Sequence, residues 1–320
     1  MMREQILRRL GFIVGEKKKK RVLILSDIKT EADDPYAIVH HLLSPTEQVC
    51  GIIACHFESK YSKSDRFSHL KGSSAQASYD EGKLLLKLME IDDVPLVKGA
   101  QYPLMHGDQP PESAGADLII AEGMKEDDTP LYIVCLGALT DLAIALQKEP
   151  RIAWRMTAIL IAGAAYPRGG PEPNLEQDIA AARIVFDSHM SIWQIPQNVY
   201  SQTEISLAEV VDKVRPCGKL GQYLCDEMLA LNDFYGQVPF RMAWPHGETW
   251  IIGDNPTAFV LLQSENRVCW HIEHAPIIHD DMSYGLRPGG KEIRVYDSVD
   301  NRLGLDDFFS KLHLCYGVQY

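Results

Sequence analysis

Between about residue 21 and residue 200, short apolar runs alternate with segments of helical period. The runs Val22–Ser26, Val49–Cys55, Val94–Val97, Leu131–Leu136, Ala158–Ala162 and Ile192–Ile195 are apolar at nearly every position, not at every second one. Strands read that way when helices cover both faces of a parallel sheet, because neither side chain direction meets water. Between the runs, Pro35–Leu43, Ala75–Glu90, Ala114–Gly123, Ala138–Gln147 and Asp178–Asp187 carry apolar residues at helical spacing. The alternation predicts an α/β fold: a doubly wound, mostly parallel sheet with helices on both faces.

Beyond residue 200 the pattern changes. Leu207–Val214 and Lys219–Leu231 have helical period, and an aromatic, Pro/Gly-rich stretch follows from Asp233 to Gly253. A helix is expected from near Asn255, then a strand pair, Arg267–Ile272 and Ile293–Asp297, and a last helix, Leu305–Leu312. No linker sets this third apart, so residues 21–320 are expected to form a single domain. Residues 1–20 read as a short amphipathic helix, with Ile6, Leu7, Leu10 and Ile13 on one face, followed by a basic linker in which Lys17–Lys20 are solvated.

Composition narrows the function. The 320 residues hold 32 Lys+Arg against 44 Asp+Glu, a net charge of −12. Phosphate neutralisation needs a basic surface, so no nucleic-acid partner is expected. No apolar run reaches the roughly 18 residues of a membrane span, so no membrane partner is expected. The N-terminus lacks the apolar stretch of a secretory signal. The seven Cys are widely spaced and include no C-x-x-C. This argues against a zinc site or disulfide framework and for a reducing, cytoplasmic location. The acid surplus also raises a sharper question, whether some carboxylates gather around a cation.

In open parallel sheets ligands bind beyond the carboxyl ends of the strands. The first run leads into Ser26-Asp27-Ile28-Lys29-Thr30-Glu31-Ala32-Asp33-Asp34-Pro35. Helix capping, with Pro35 in the first turn, accounts for one Asp. The remaining acids would repel one another unless a cation neutralised them, and a hard divalent ion such as Ca²⁺ takes an all-oxygen shell of this kind. The fourth run leads into Leu136-Gly137-Ala138-Leu139-Thr140-Asp141, read either as a plain strand–turn–helix junction or as a carbonyl donor to that ion. After the fifth run, Glu172 and Asn174 stand two apart and point the same way if extended. They make an acceptor beside a donor for a hydroxyl-rich ligand, or else part of an ordinary surface loop. Gly253-Asp254-Asn255-Pro256 repeats the theme of an acid before a helix, where capping alone would suffice.

Taken in order, these segments resemble the inosine–uridine-preferring nucleoside hydrolase superfamily, from about Arg21 to Ala258. That family carries D-x-D-P-G-x-D-D after its first strand, then G-x-L-T-N, then E-F-N-x-x-x-D-P-E-A-A, and a late H-D-P. This chain offers Asp27…Asp33-Asp34, then Gly137-Ala138-Leu139-Thr140-Asp141, then Glu172-Pro173-Asn174 with Asp178-Ile179-Ala180-Ala181-Ala182, and finally Gly253-Asp254-Asn255-Pro256. The resemblance implies a Rossmann-type core and an N-ribosyl hydrolase that splits a ribonucleoside into ribose and free base, in purine or pyrimidine salvage. It implies Ca²⁺, or another hard divalent cation, held by Asp27, Asp34, Asp254 and the Leu136 carbonyl. Asp27 would also be the catalytic base. Asp33, Glu172 and Asn174 would bind the ribose, joined by Glu58, on which the family's Asn after the second strand falls. The implied partner is a small nucleoside or ribosyl substrate, and the implied assembly a homodimer or homotetramer.

The departures define what is open. One alignment of the first loop puts Lys29 at the base position; the other puts Asp27 there, with a loop two residues longer. The second is favoured, because an ammonium beside a cation is repelled. Gly253 replaces the family's His, removing its leaving-group acid. His56, His246 and His279, or the aromatics Phe234, Tyr235, Trp244 and Trp250, are the candidates to replace it, and His246 is preferred for its place just before Asp254. The Ser-Asp-Ile-x-x-Glu-x-Asp-Asp and Gly-Asp-x-Pro forms look closer to a divergent branch with cellulose-binding or uncharacterised labels. The alternative reading is therefore a catalytically altered relative that binds a sugar or polysaccharide. A phosphohydrolase would need Gly-rich or basic phosphate-binding elements, which the sequence lacks.

Overall fold

The six apolar runs become six adjacent parallel strands in the computed structural model, which describes residues 1–58, 65–104, 111–237 and 246–317. These are β1 (Lys20–Ser26), β2 (Glu47–Ala54), β3 (Leu96–Lys98), β4 (Leu131–Cys135), β5 (Thr157–Ile161) and β6 (Ser191–Ile195). The C-terminal part adds β7 (Glu204–Ser206), β8 (Thr249–Ile251), β9 (Cys269–His274), β10 (Ile277–Ile278), β11 (Tyr284–Gly285) and β12 (Glu292–Ser298). Among the described residues, eight strands form one sheet in the order β3-β2-β1-β4-β5-β6-β12-β9, parallel except for β9. Two small antiparallel pairs, β7 with β8 and β10 with β11, complete the set.

The continuous apolar runs have the cause that the sequence implies. Along β1, Val22 and Ile24 enter one core with Tyr36, Phe57 and Phe308, while Leu23 and Leu25 enter a second core with Ile133, Leu142 and Phe186. One core lies on each face of the sheet. The chain is therefore the expected doubly wound α/β fold.

The strand order reverses at β1. From there the chain runs outward through β2 and β3, then returns to lay β4 against the other side of β1. That is a topological switch point, where a crevice opens beyond the strand ends. The Leu136 amide donates to the Leu25 carbonyl at 2.8 Å, so the ends of β1 and β4 stand side by side there.

Several boundaries differ from expectation. The N-terminal helix, Arg3–Leu7, continues only as a 3₁₀ turn to Leu10, and Gly11 ends it at φ +76°. Ile6, Leu7 and Leu10 are buried, but Ile13 lies past that stop and is 96% exposed. Arg3 donates to the carbonyls of His41, Leu42, Ser44 and Glu47, which ties this helix to the β1–β2 connection. Lys20 is not linker; it opens β1 and donates to the Leu261 carbonyl. The helix expected over Lys219–Leu231 runs from Gly218 to Gln237 and takes in Phe234 and Tyr235. Among the described residues, no helix is long and apolar enough to cross a membrane.

Candidate active site at the switch point

The loop after β1 delivers Asp33 and Asp34 to the start of the helix Asp33–Leu42. Neither is its cap. Ala32 holds that position, with no side-chain capping bond, and both acids lie buried in the first turn. There the helix dipole favours negative charge. Ser26, the last residue of β1, donates its hydroxyl to Asp34 Oδ1 at 2.5 Å. Asp254, following β8, is likewise buried and is not the cap of the helix Pro256–Leu262; Asn255 is. The two sites that capping might have explained are thus otherwise engaged. Carboxylate oxygens of Asp33, Asp34 and Asp254 all lie within 4.8 Å of one another. Three buried carboxylates at that spacing repel strongly, and a hard divalent cation with oxygen donors is the group that fits them.

Asp27 stands beside this cluster in sequence and at the switch point in space. Its Oδ2 accepts from Thr30 Oγ1 and from Gln177 Nε2, each at 2.8 Å. Its Oδ1 faces the turn after β4, so closely that a Cβ at Gly137 would lie 2.5 Å away. Glycine is required there by close approach. The Leu136 carbonyl, one residue earlier, accepts from Asn174 Nδ2 at 3.1 Å, and the same amide donates to the Ile161 carbonyl at 2.9 Å.

Glu172 caps the short helix Pro173–Gln177. Its Oε2 accepts from the Leu175 and Gly163 amides, and its Oε1 from the Tyr200 hydroxyl, all at 2.9 Å. Burial pushes its carboxyl above the ordinary value, while these donors pull the other way.

With this geometry, the match to known proteins is specific. The model of the inosine–uridine-preferring nucleoside hydrolase family matches residues 24–302. The chain belongs to that family. This places it among the N-ribosyl hydrolases. A probable uridine nucleosidase 2 from Oryza sativa subsp. japonica is 28% identical over 129 residues, 39% of this chain and 38% of that protein. The chain thus spans well under half the length of that relative. A pyrimidine-specific ribonucleoside hydrolase, RihA, from Salmonella paratyphi A is 25% identical over 246 residues, 69% of this chain and 73% of that one. In fold, the chain is similar to the purine-preferring ribonucleoside hydrolase from Gardnerella vaginalis, with a TM-score of 0.73 at 21% identity over 93% of this chain and 99% of that one.

Within this family frame, Lys29 is turned elsewhere. Its ammonium lies 2.8 Å from Glu81 and 3.7 Å from Glu227. Glu58 is committed to the start of the helix Ser74–Leu88, accepting from the Gly72 amide and the Ser74 hydroxyl. His56 is buried, 2.8 Å from Thr140 Oγ1, and that hydroxyl donates to Asp178 Oδ2 at 2.7 Å. Burial lowers the His56 pKa. His246 and His279 are exposed. Tyr235 and Trp250 are buried in the core, and Trp244 falls outside the described residues.

Two residues of the site went unseen in the sequence. Tyr200 lies against Gly253, where a Cβ would come within 2.8 Å of its ring, so it fills the space beside the family's missing His. Gln177 reaches Asp27 from 150 residues away. Its one sequence signal was its place between the matched Asn174 and Asp178.

Proposed function

We propose that this chain is a metal-dependent hydrolase that cleaves the N-glycosidic bond of a ribonucleoside to give ribose and free base. The observation that carries the reading is the convergence of Asp33, Asp34 and Asp254 within 4.8 Å, at the sheet's switch point. Asp34, Asp254, Asp27 and the Leu136 carbonyl are the proposed cation ligands, with Ca²⁺ as the first candidate. When bound, such a cation supplies fixed positive charge, a template for vicinal hydroxyls and a lowered water pKa. Asp27 takes the proton of the attacking water. Asp33, Glu172 and Asn174 grip the ribose hydroxyls. The carboxylates accept, and so does the Asn174 side-chain oxygen, because both hydrogens of its amide are held by the Leu136 and Ile161 carbonyls and the donor expected from the sequence is already spent. The same carboxylates stabilise the oxocarbenium character that develops on the sugar as the bond breaks.

For the leaving base, His246 is the proposed proton donor. It is exposed and precedes Asp254, whereas the imidazole of His56 is held inside by Thr140. Glu58, engaged with Gly72 and Ser74, supports the chain after β2 and is a weaker candidate for ribose contact. Cytoplasmic nucleoside salvage, by a homodimer or homotetramer, is the setting this reading implies. The relatives' names span uridine, pyrimidine and purine nucleosides, so both base classes belong in the assay.

The test is ribose release over a panel of purine and pyrimidine nucleosides, with Ca²⁺ and with chelator. Asp27→Asn and Asp254→Ala are expected to abolish both turnover and Ca²⁺ binding while the circular dichroism spectrum stays native. Unchanged activity in either variant sinks the assignment. The second reading, a sugar-binding relative without turnover, is favoured by one observation: Tyr200 lies against the glycine that replaces the family's His. Ca²⁺-dependent ribose binding without release from any nucleoside would establish it.

A further inference from the structure

We propose that Gln177 is the positioning residue that fixes the Asp27 carboxylate for water activation, acting together with Thr30. The inference rests on the assignment of Asp27 as base.

Gln177 and Asp27 are each 1% exposed. Burying an amide is costly unless its hydrogens find acceptors, and an apolar side chain would end a short helix at lower cost. Gln177 Nε2 instead donates to Asp27 Oδ2, and a hydrogen bond to a carboxylate is among the stronger kinds. Thr30 adds a second donor to the same oxygen: its one hydroxyl proton is shared between Asp27 Oδ2 at 2.8 Å and the Asp27 carbonyl at 2.7 Å, and its amide also donates to that carbonyl. One donor comes from the loop that follows Asp27; the other comes from across the crevice.

Two donors on Oδ2 fix the rotation of the carboxylate about its Cβ–Cγ bond. Oδ1 is thereby directed at the turn after β4, where Gly137 leaves room for it and for no Cβ. A partial rotation of the carboxylate out of this plane would break both bonds, and a half-turn would only exchange two equivalent oxygens, so the orientation of the group is held.

The helix Pro173–Gln177 is the device that makes this possible. Glu172 caps its first turn, Asn174 Nδ2 bonds the carbonyls at the ends of β4 and β5, and Gln177 closes its last turn on the residue after β1. One rigid turn therefore joins the ends of three strands. In this arrangement the ribose-binding residues Glu172 and Asn174 and the base Asp27 share one support. Misplacing a reacting group by about 1 Å costs on the order of 100-fold in rate, so such a support has consequences for turnover.

The experiment compares wild type, Gln177→Met, Thr30→Val, Thr30→Ser, the Gln177→Met/Thr30→Val double variant, and Asp27→Asn. Gln177→Met keeps length and loses the donor. The readouts are kcat and KM on a nucleoside, Ca²⁺ affinity by calorimetry on the metal-free protein, and Tm. Gln177→Met is expected to lower kcat or Ca²⁺ affinity about 10- to 100-fold, the usual cost of removing a partner behind a metal ligand. KM should stay within about threefold and Tm within a few degrees. Thr30→Ser should match wild type, and the double variant should lose less than the product of the two single losses.

If Gln177→Met matches wild type in both kcat and Ca²⁺ affinity while Asp27→Asn is impaired, the positioning role is overturned and the base assignment stands. If Asp27→Asn itself matches wild type, the assignment of Asp27 fails, and the positioning role with it. A Gln177→Met loss that tracks a large fall in Tm assigns Gln177 to structure alone and overturns the proposal. The calorimetric readout decides the same question if no nucleoside in the panel is turned over.

Discussion

Tyr200 shows how one absent side chain reshapes a site. It closes a short helix after β6 and sends its hydroxyl to Glu172. Burial and the neighbouring carboxylate raise its pKa well above the ordinary value, so the phenol stays protonated and remains a donor. Its ring lies against Gly253, with 2.8 Å left for a Cβ. Gly253→Ala must push the ring aside, at a cost of about 1–3 kcal/mol for overpacking. The expected outcome is a lower urea midpoint together with a raised KM, because Glu172 loses its third donor. Tyr200→Phe separates the two effects: the ring stays, the bond goes, and KM should rise with a stability loss of about 1 kcal/mol. Native stability and KM in Gly253→Ala would show that the contact is not tight.

At the scale of elements, short pieces hold the site together. A five-residue helix is unstable alone, because its nucleation cost is not recovered. Pro173–Gln177 persists through its side-chain anchors, and the next helix, Ile179–Asp187, begins on Asp178. Asp178 Oδ1 accepts the Ala181 amide at 2.9 Å, while Oδ2 accepts the Leu104 amide and the Thr140 hydroxyl, each at 2.7 Å. Asp178→Ala removes a cap worth about 1 kcal/mol. It also takes the carboxylate acceptor from the buried Thr140 hydroxyl, which keeps only its contact with His56, and from the Leu104 amide, at a further cost of about 1–3 kcal/mol. The expected total is about 2–4 kcal/mol by urea unfolding, with faster amide exchange in Ile179–Asp187. A loss below about 1 kcal/mol would mean that the cap does not hold the element.

The same elements show what the sequence could reveal. The strands were legible because burial on both faces leaves unbroken apolar runs, as along Val22–Leu25. The Glu172-to-Asp178 loop was legible because its spacing is fixed by one short helix and two caps. The Gln177–Asp27 bond was not, since nothing local couples residues 150 apart. Nor was the extension of the long helix through Tyr235, where Asp233 and the aromatics read as a break, but Asp233 stays exposed on the helix while Phe234 and Tyr235 pack on the core.

Across the whole molecule, the helix that opens with Asp33 and Asp34 also carries an acid-sensitive group into the core. His40, near the end of that helix, has no exposed surface and packs between the rings of Phe259 and Phe308, at 5.7 and 5.5 Å. Its Nε2 lies 2.8 Å from Asp307 Oδ2 on the C-terminal helix Asn301–Tyr316, where Lys311 pairs with the same carboxylate. Burial lowers the imidazole from 6.5 to about 4, outweighing the pull of Asp307. The unfolded chain therefore binds a proton between about pH 6.5 and pH 4 that the folded chain refuses. Stability is fully present above pH 6.5 and falls as the pH drops toward 4, by at most about 1.4 kcal/mol per pH unit from this residue. Asp307 acts in the same sense at lower pH. Burial raises its carboxyl, but His40 and Lys311 outweigh that and hold it below the ordinary value. Urea unfolding of wild type and His40→Gln at pH 7, 6 and 5 checks this, with chelator throughout so that cation binding does not add its own pH dependence. The glutamine keeps a donor toward Asp307 and does not titrate. Wild type should lose stability steadily over this range while His40→Gln loses distinctly less, and equal slopes in the two proteins would place the acid sensitivity outside this junction.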